Sequence, residues 1–72
     1  MFYYIPFKEH LYSDEIGSYT AFGIRSYDSL NKESFSVSDV SVSRSVVLKL
    51  CINCTVHQLE PIHLLDVIMN YI

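Results

Sequence analysis

The sequence predicts an α+β domain. Its order is β-β-β-α-α, a three-stranded antiparallel meander followed by two C-terminal helices packed on one face. Three observations lead there. Residues 2–42 carry β-type residues, and 2–12, 17–27 and 34–40 alternate with the period of a strand. From Ser43 the apolar residues recur at helical spacing instead. Turn chemistry such as "SDEI" and "DSLNKE" separates the segments. With 72 residues the chain forms one domain, residues 1–72. A chain this short buries only about 60% of its unfolded surface, so its core needs support from a metal, a disulfide or a partner chain.

Strand 1 covers about 2–12, with Tyr3, Ile5, Phe7 and Leu11 on one side. Strand 2 covers about 17–28 and places Phe22 and Ile24 together. A four-residue loop, Ser13 to Ile16, would set Tyr12 opposite Gly17. Ile5 then faces Ile24, Phe7 faces Phe22, and the strong apolar residues share one face. A slip by one residue would put Phe7 opposite Gly23 and Lys8 opposite Phe22, scattering that set. The first register is therefore expected. Pro6 cannot donate to a ladder, which makes strand 1 an edge strand there.

That register gives the second face Tyr4, His10, Tyr12, Tyr19, Arg25 and Tyr27, with Tyr4 opposite Arg25 as a cation–π pair. Tyrosine suits exposed strands, and Tyr with Arg is also enriched at protein interfaces. Strand 3, about 34–40, alternates Phe35 and Val37 with serines.

Helix 1 spans about 43–56, capped by Ser41 or Ser43. Val46, Val47, Leu50, Cys51 and Cys54 form a broad apolar arc, which Leu48 and Ile52 widen further. Such a helix is expected to be covered on two sides, by the sheet and by helix 2 or a second subunit. "HQLE" (57–60) is a tight connection, and Pro61 opens helix 2, about 61–71. On helix 2, Leu64, Leu65, Ile68, Tyr71 and Ile72 share a face, Ile62 and Met69 lie at its margin, and His63, Asp66 and Asn70 form a polar stripe.

Three stretches, "IGSYTAFGI" (16–24), "DVS" (39–41) and "QLEPIHLLDVI" (58–68), together resemble a family of small uncharacterised proteins of Gram-positive anaerobic bacteria, a domain of unknown function. The resemblance implies a cytoplasmic protein and transfers no catalytic residue. Glu60 stands where that pattern often has Ser or Thr before the proline, and the two cysteines are not part of it.

The chemistry-bearing segment is "CINCTVHQLEPIH" (51–63), with both cysteines and two of the three histidines. Cys51, Cys54, His57 and His63 are the candidate metal ligands. Structural zinc favours two ligand pairs separated by a folded loop, and this spacing is not of that kind. Buried free cysteine packs as a small apolar residue, and that reading is preferred. Thiol–disulfide chemistry needs a cysteine at a helix N-terminus, whereas these lie near a C-terminus. His63 and Asp66, one helical turn apart, lack a recognisable nucleophile. With Glu60 as N-cap, His63 is expected to accept from the cap backbone N–H, anchoring the turn together with Pro61.

Five Lys and Arg against eight Asp and Glu, scattered singly, give a net charge of -3 and no basic stripe for nucleic acid. No apolar run reaches the roughly 18 residues of a membrane span, and no secretory signal is read at the N-terminus. The expected protein is cytoplasmic and non-enzymatic, without cofactor. It is expected to be a protein–protein interaction or regulatory module acting as a homodimer with an unknown protein partner, the alternative being a metal- or small-ligand-binding domain that uses Cys51, Cys54, His57 and His63. The interface is expected at Tyr4, Tyr12, Tyr19, Arg25, Tyr27, Leu48 and Ile52.

Overall fold

Three antiparallel strands form one sheet in the order β1-β2-β3, with β1 at Tyr3–Ser13, β2 at Gly17–Tyr27 and β3 at Glu33–Ser41. Two helices follow, α1 at Arg44–Val56 and α2 at Leu64–Tyr71, the second entered through a 3-10 turn at Pro61–His63. The structure, a computed structural model, describes residues 1–30 and 32–71, and at Ser34 the backbone alone. Asn31 of the expected loop 28–33 and Ile72 of the expected apolar face of helix 2 lie outside the described residues.

The β1–β2 register is the one that apolar pairing alone rejects. Phe7 stands opposite Gly23, Lys8 opposite Phe22 and Ser13 opposite Gly17. The turn decides it. Gly17 adopts φ +86, a left-handed conformation that costs glycine nothing. A three-residue loop closed by such a residue replaces the expected four-residue loop. The Glu15 N–H donates to Ser13 Oγ at 3.2 Å and steadies the turn.

The slip divides the apolar residues of β1 and β2 between the two faces. Tyr4, Pro6, Ile24 and Phe22 face the helices, while Ile5, Phe7 and Leu11 do not. Gly23 makes the arrangement possible. A Cβ there would lie 2.5 Å from Phe7 Cζ and 2.5 Å from the Val37 carbonyl oxygen, so the ring occupies the space a side chain would need. Arg25 lies over the same ring, 4.3 Å from its centroid. The expected Tyr4–Arg25 pair is thus replaced by Phe7–Arg25, because Arg25 sits opposite Ile5 rather than Tyr4.

On β3, Val37 pairs with Ile24 and Ser41 with Phe22, so three residues oppose the single Gly23. This bulge turns on Asp39, whose φ is 55. Ser38 and Asp39 are held by Glu9 from across β2. Glu9 Oε1 accepts from Ser38 Oγ at 2.6 Å, and Oε2 accepts from the Asp39 N–H at 2.9 Å. Val40 is thereby returned to the core.

The core lies between the sheet and the helices. Tyr4, Ile24, Val40, Val47, Leu50, Cys51, Cys54, Leu64 and Ile68 form its buried cluster. Ser43 caps α1 by accepting from the Val46 N–H at 3.4 Å, and Ser41 Oγ accepts from the Ser43 N–H at 3.0 Å, so both candidate serines serve the helix start.

The expected two-sided burial of α1 is only half realised. Val47, Leu50, Cys51 and Cys54 are buried, whereas Ile52 is 53% exposed. On α2, Leu64 and Ile68 are buried, while Leu65, Met69 and Tyr71 are exposed. Leu64 and Ile68 point the helix at the core, and the face expected to include Leu65 and Tyr71 is narrower than its sequence pattern.

Candidate functional site

The helices cover one face of the sheet. The 13 residues of α1 span roughly 20 Å, about half the roughly 37 Å of an 11-residue strand. β3 pairs with β2 only from Phe22 to Tyr27, so Glu9–Ala21 extends past it as a two-stranded ribbon. The longest extent of the molecule is 39 Å, close to the roughly 37 Å of an 11-residue strand. On the ribbon, His10, Leu11, Tyr12, Ser18, Tyr19 and Thr20 line an open depression of about 330 Å³.

The uncovered face carries Tyr3 and Ile5, 40% and 49% exposed, with half-buried Phe7, Leu11 and Tyr27. Its polar end is built from Glu9, Ser38, Asp39 and Tyr19, whose hydroxyl donates to Asp39 Oδ2 at 2.8 Å. That bond, with the Asp39 charge behind it, pushes the Tyr19 hydroxyl above its ordinary pKa. Arg25 is held between Phe7 and Glu33, with Nε 3.5 Å from Glu33 Oε1. This exposed ion pair contributes little stability by itself, but it fixes the guanidinium over the ring.

The residues expected at an interface separate accordingly. Tyr19, Arg25 and Tyr27 lie on the uncovered face. Tyr12, 72% exposed, points to the opposite face near the hairpin tip, beside Lys8 and His10. Tyr4 is not on a surface at all. It is 5% exposed, and its hydroxyl donates to the Leu59 carbonyl. Burial pushes that hydroxyl up to about 12, with smaller contributions from Cys54 and Glu60. Leu48 and Ile52 flank Tyr4 and Pro6 around a shallow depression of about 220 Å³ between α1 and β1.

A junction that the sequence does not announce ties β1 to the end of α1. His57 ends the helix, and Gln58 takes a left-handed φ of 51. The Leu59 N–H then reaches the Cys54 carbonyl at 3.0 Å and the Gln58 N–H the Thr55 carbonyl at 3.2 Å, a Schellman closure with glutamine in the usual glycine position. The Gln58 amide spans the backbone of Phe2, accepting from its N–H at 2.9 Å and donating to its carbonyl at 3.1 Å. Thr55 Oγ1 accepts from the Tyr4 N–H at 3.0 Å. These side chains act as a short artificial strand along the start of β1.

The cysteine–histidine segment is divided between the interior and the surface. Cys51 and Cys54 are buried free thiols, whereas His57 and His63 are exposed. Among the described residues, no three His, Cys, Asp or Glu side chains gather so as to hold a metal ion. Burial, then the neighbouring Cys54, pushes the Cys51 thiol up to about 12, and burial raises Cys54 as well.

His63 does not make the expected capping bond. The first turn is 3-10 rather than α, and it is the His63 N–H that donates to the Glu60 carbonyl, at 2.9 Å. Pro61 stands at the start of that turn, and Asp66 is exposed in the first turn of α2. Among the described residues no helix is long and apolar enough to cross a membrane.

No curated protein and no solved structure matches this chain. A family model does match it, over residues 1–72, and the chain belongs to that family, DUF6514, a family of unknown function.

Proposed function

We propose that this chain is a non-enzymatic protein–protein interaction module of the cytoplasm that acts as a homodimer. The resemblance of its sequence to small proteins of Gram-positive anaerobes supports that setting. One observation carries the interaction reading: a three-stranded sheet with helices on one face only, whose other face presents Tyr3, Ile5, Phe7, Leu11 and Tyr27. Sheets bury apolar faces against another layer, and among the described residues no layer covers this face. Arg25, fixed over Phe7, supplies the aromatic–arginine composition of interface cores.

Light scattering on a size-exclusion peak tests the dimer. The expected mass at tens of micromolar is twice the chain mass of 8.3 kDa. A monomer persisting to about 200 µM refutes it, since a specific interface of useful affinity saturates well below that concentration.

A further inference from the structure

The perimeter of the sheet is sealed unevenly. At the start of β1, three of the backbone groups that point away from β2 are occupied. Gln58 takes both groups of Phe2, and Thr55 takes the Tyr4 N–H. Pro6 has no N–H to offer. The strand period of two puts Lys8, His10 and Tyr12 in the same outward phase, and the ladder runs unbroken from Tyr3 to Ser13. Among the described residues, nothing outside the sheet bonds to the backbone of these three, and all three are exposed. On the far side, β3 is interrupted by the bulge at Asp39. The open edge also lies on the two-stranded ribbon, a form marginally stable without further strands or a covering layer.

We propose that this edge joins two copies of the chain. Residues 9–13 pair antiparallel with the same residues of a second copy, about a two-fold axis at Leu11, and Asp14 follows as the first residue of each loop. The proposal rests on the dimer reading above and names its contact. The outward phase lets the register move only in steps of two. With the axis at Leu11, His10 of one copy lies opposite Tyr12 of the other, Lys8 comes beside Asp14 at the start of the other's loop, and the two Leu11 side chains meet on the uncovered face. With the axis at His10, the two His10 rings oppose each other and Lys8 loses its direct carboxylate. With the axis at Glu9, two carboxylates are set face to face. Charge complementarity therefore selects Leu11.

Lysine on an edge strand normally repels unwanted pairing. Here the Lys8 charge is answered in one arrangement alone. The result is a six-stranded sheet, β3-β2-β1-β1-β2-β3, whose outer strands both carry the Asp39 bulge. Assembly closes at two.

His10→Pro tests the contact, because it removes an outward N–H and leaves the inward ladder intact. His10→Ala keeps the N–H and is the control. In a dilution series by sedimentation equilibrium, His10→Pro should raise the dimer Kd about tenfold or more, with His10→Ala close to wild type, since two hydrogen bonds are lost per dimer. Circular dichroism reports whether each variant folds. Lys8→Asp and Asp14→Lys should each weaken the dimer, and the double exchange should restore it.

A folded His10→Pro chain with unchanged Kd overturns the edge contact while leaving a dimer formed elsewhere. A wild-type monomer removes both proposals. Should His10→Pro not fold, the charge exchange decides, and a double variant no tighter than the singles overturns the proposal.

Discussion

Gln58 poses a competition that a pair of substitutions resolves. Its backbone is left-handed, which costs a non-glycine residue about 1 kcal/mol relative to glycine. Its side chain repays this through two bonds to the Phe2 backbone, at 2.9 and 3.1 Å. Each is solvent-accessible and contributes about 0.5–1 kcal/mol net. Gln58→Ala keeps the strain and loses these bonds together with the one its Nε2 donates to the Thr55 carbonyl at 2.7 Å, so a loss of roughly 2 kcal/mol is expected. Gln58→Gly loses the same bonds but relieves the strain, leaving a net loss of roughly 1 kcal/mol. The two variants should differ by about 1 kcal/mol, or about 4–8 °C in Tm for a domain of this size. Urea unfolding followed by circular dichroism, at one fixed protein concentration, measures it. Hydrogen exchange at the Phe2 amide supplies a local readout, and protection should fall in both variants. Equal stability of the Ala and Gly variants, or unchanged Phe2 exchange, refutes the reasoning.

Gly23→Ala should destabilise by about 2 kcal/mol, because the new methyl meets Phe7 Cζ and the Val37 carbonyl at 2.5 Å and one of them is backbone; a urea midpoint equal to wild type contradicts this. Ser43→Ala removes the acceptor for the Val46 N–H and should cost about 1 kcal/mol in the same assay. Burial raises Cys51 and Tyr4 to about 12 from ordinary values of 9.0 and 10.0. Groups raised in the folded state stabilise it fully below their unfolded values and lose that contribution as pH climbs towards the folded ones. The urea midpoint should therefore decline from about pH 9 upwards. At pH 8 both thiols should resist a disulfide reagent in the native protein and react in urea.

The element order and the helix-capping serines were legible because each rests on local chemistry. Alternation marks strands, Ser43 marks a helix start, and Pro6 marks an edge. The register was not legible, because two local signals conflict. Apolar pairing favours Phe7 opposite Phe22, while the left-handed preference of Gly17 shortens the loop by one residue. The turn wins since Gly23 lets the Phe7 ring lie flat across β2, so the penalty assumed for that slip is absent. A phenylalanine and a glycine at matching distances from a turn are the signal that was open to reading. The β3 bulge could not be seen, as "SDVS" alternates acceptably without it. Gln58 also gave no notice, for a helix end in the left-handed region usually shows glycine. The surface residues followed the register. Once it slipped, Tyr4 went inside, and Ile5 and Phe7 came out to the face of Tyr19, Arg25 and Tyr27.

The attachment of Tyr4 to Thr55 and Leu59 bridges 51 and 55 residues of chain. Contacts that distant close the largest loops and carry the largest entropic cost before any gain, so they form late. The hairpin and α1, built from neighbours in sequence, can form first. Late contacts are absent from the transition state for folding, and weakening them mainly hastens unfolding. Removing the Tyr4 hydroxyl should leave the refolding rate nearly constant and shorten the native lifetime. The first strand's hold on the helix end thus governs how long the fold survives rather than how fast it is made.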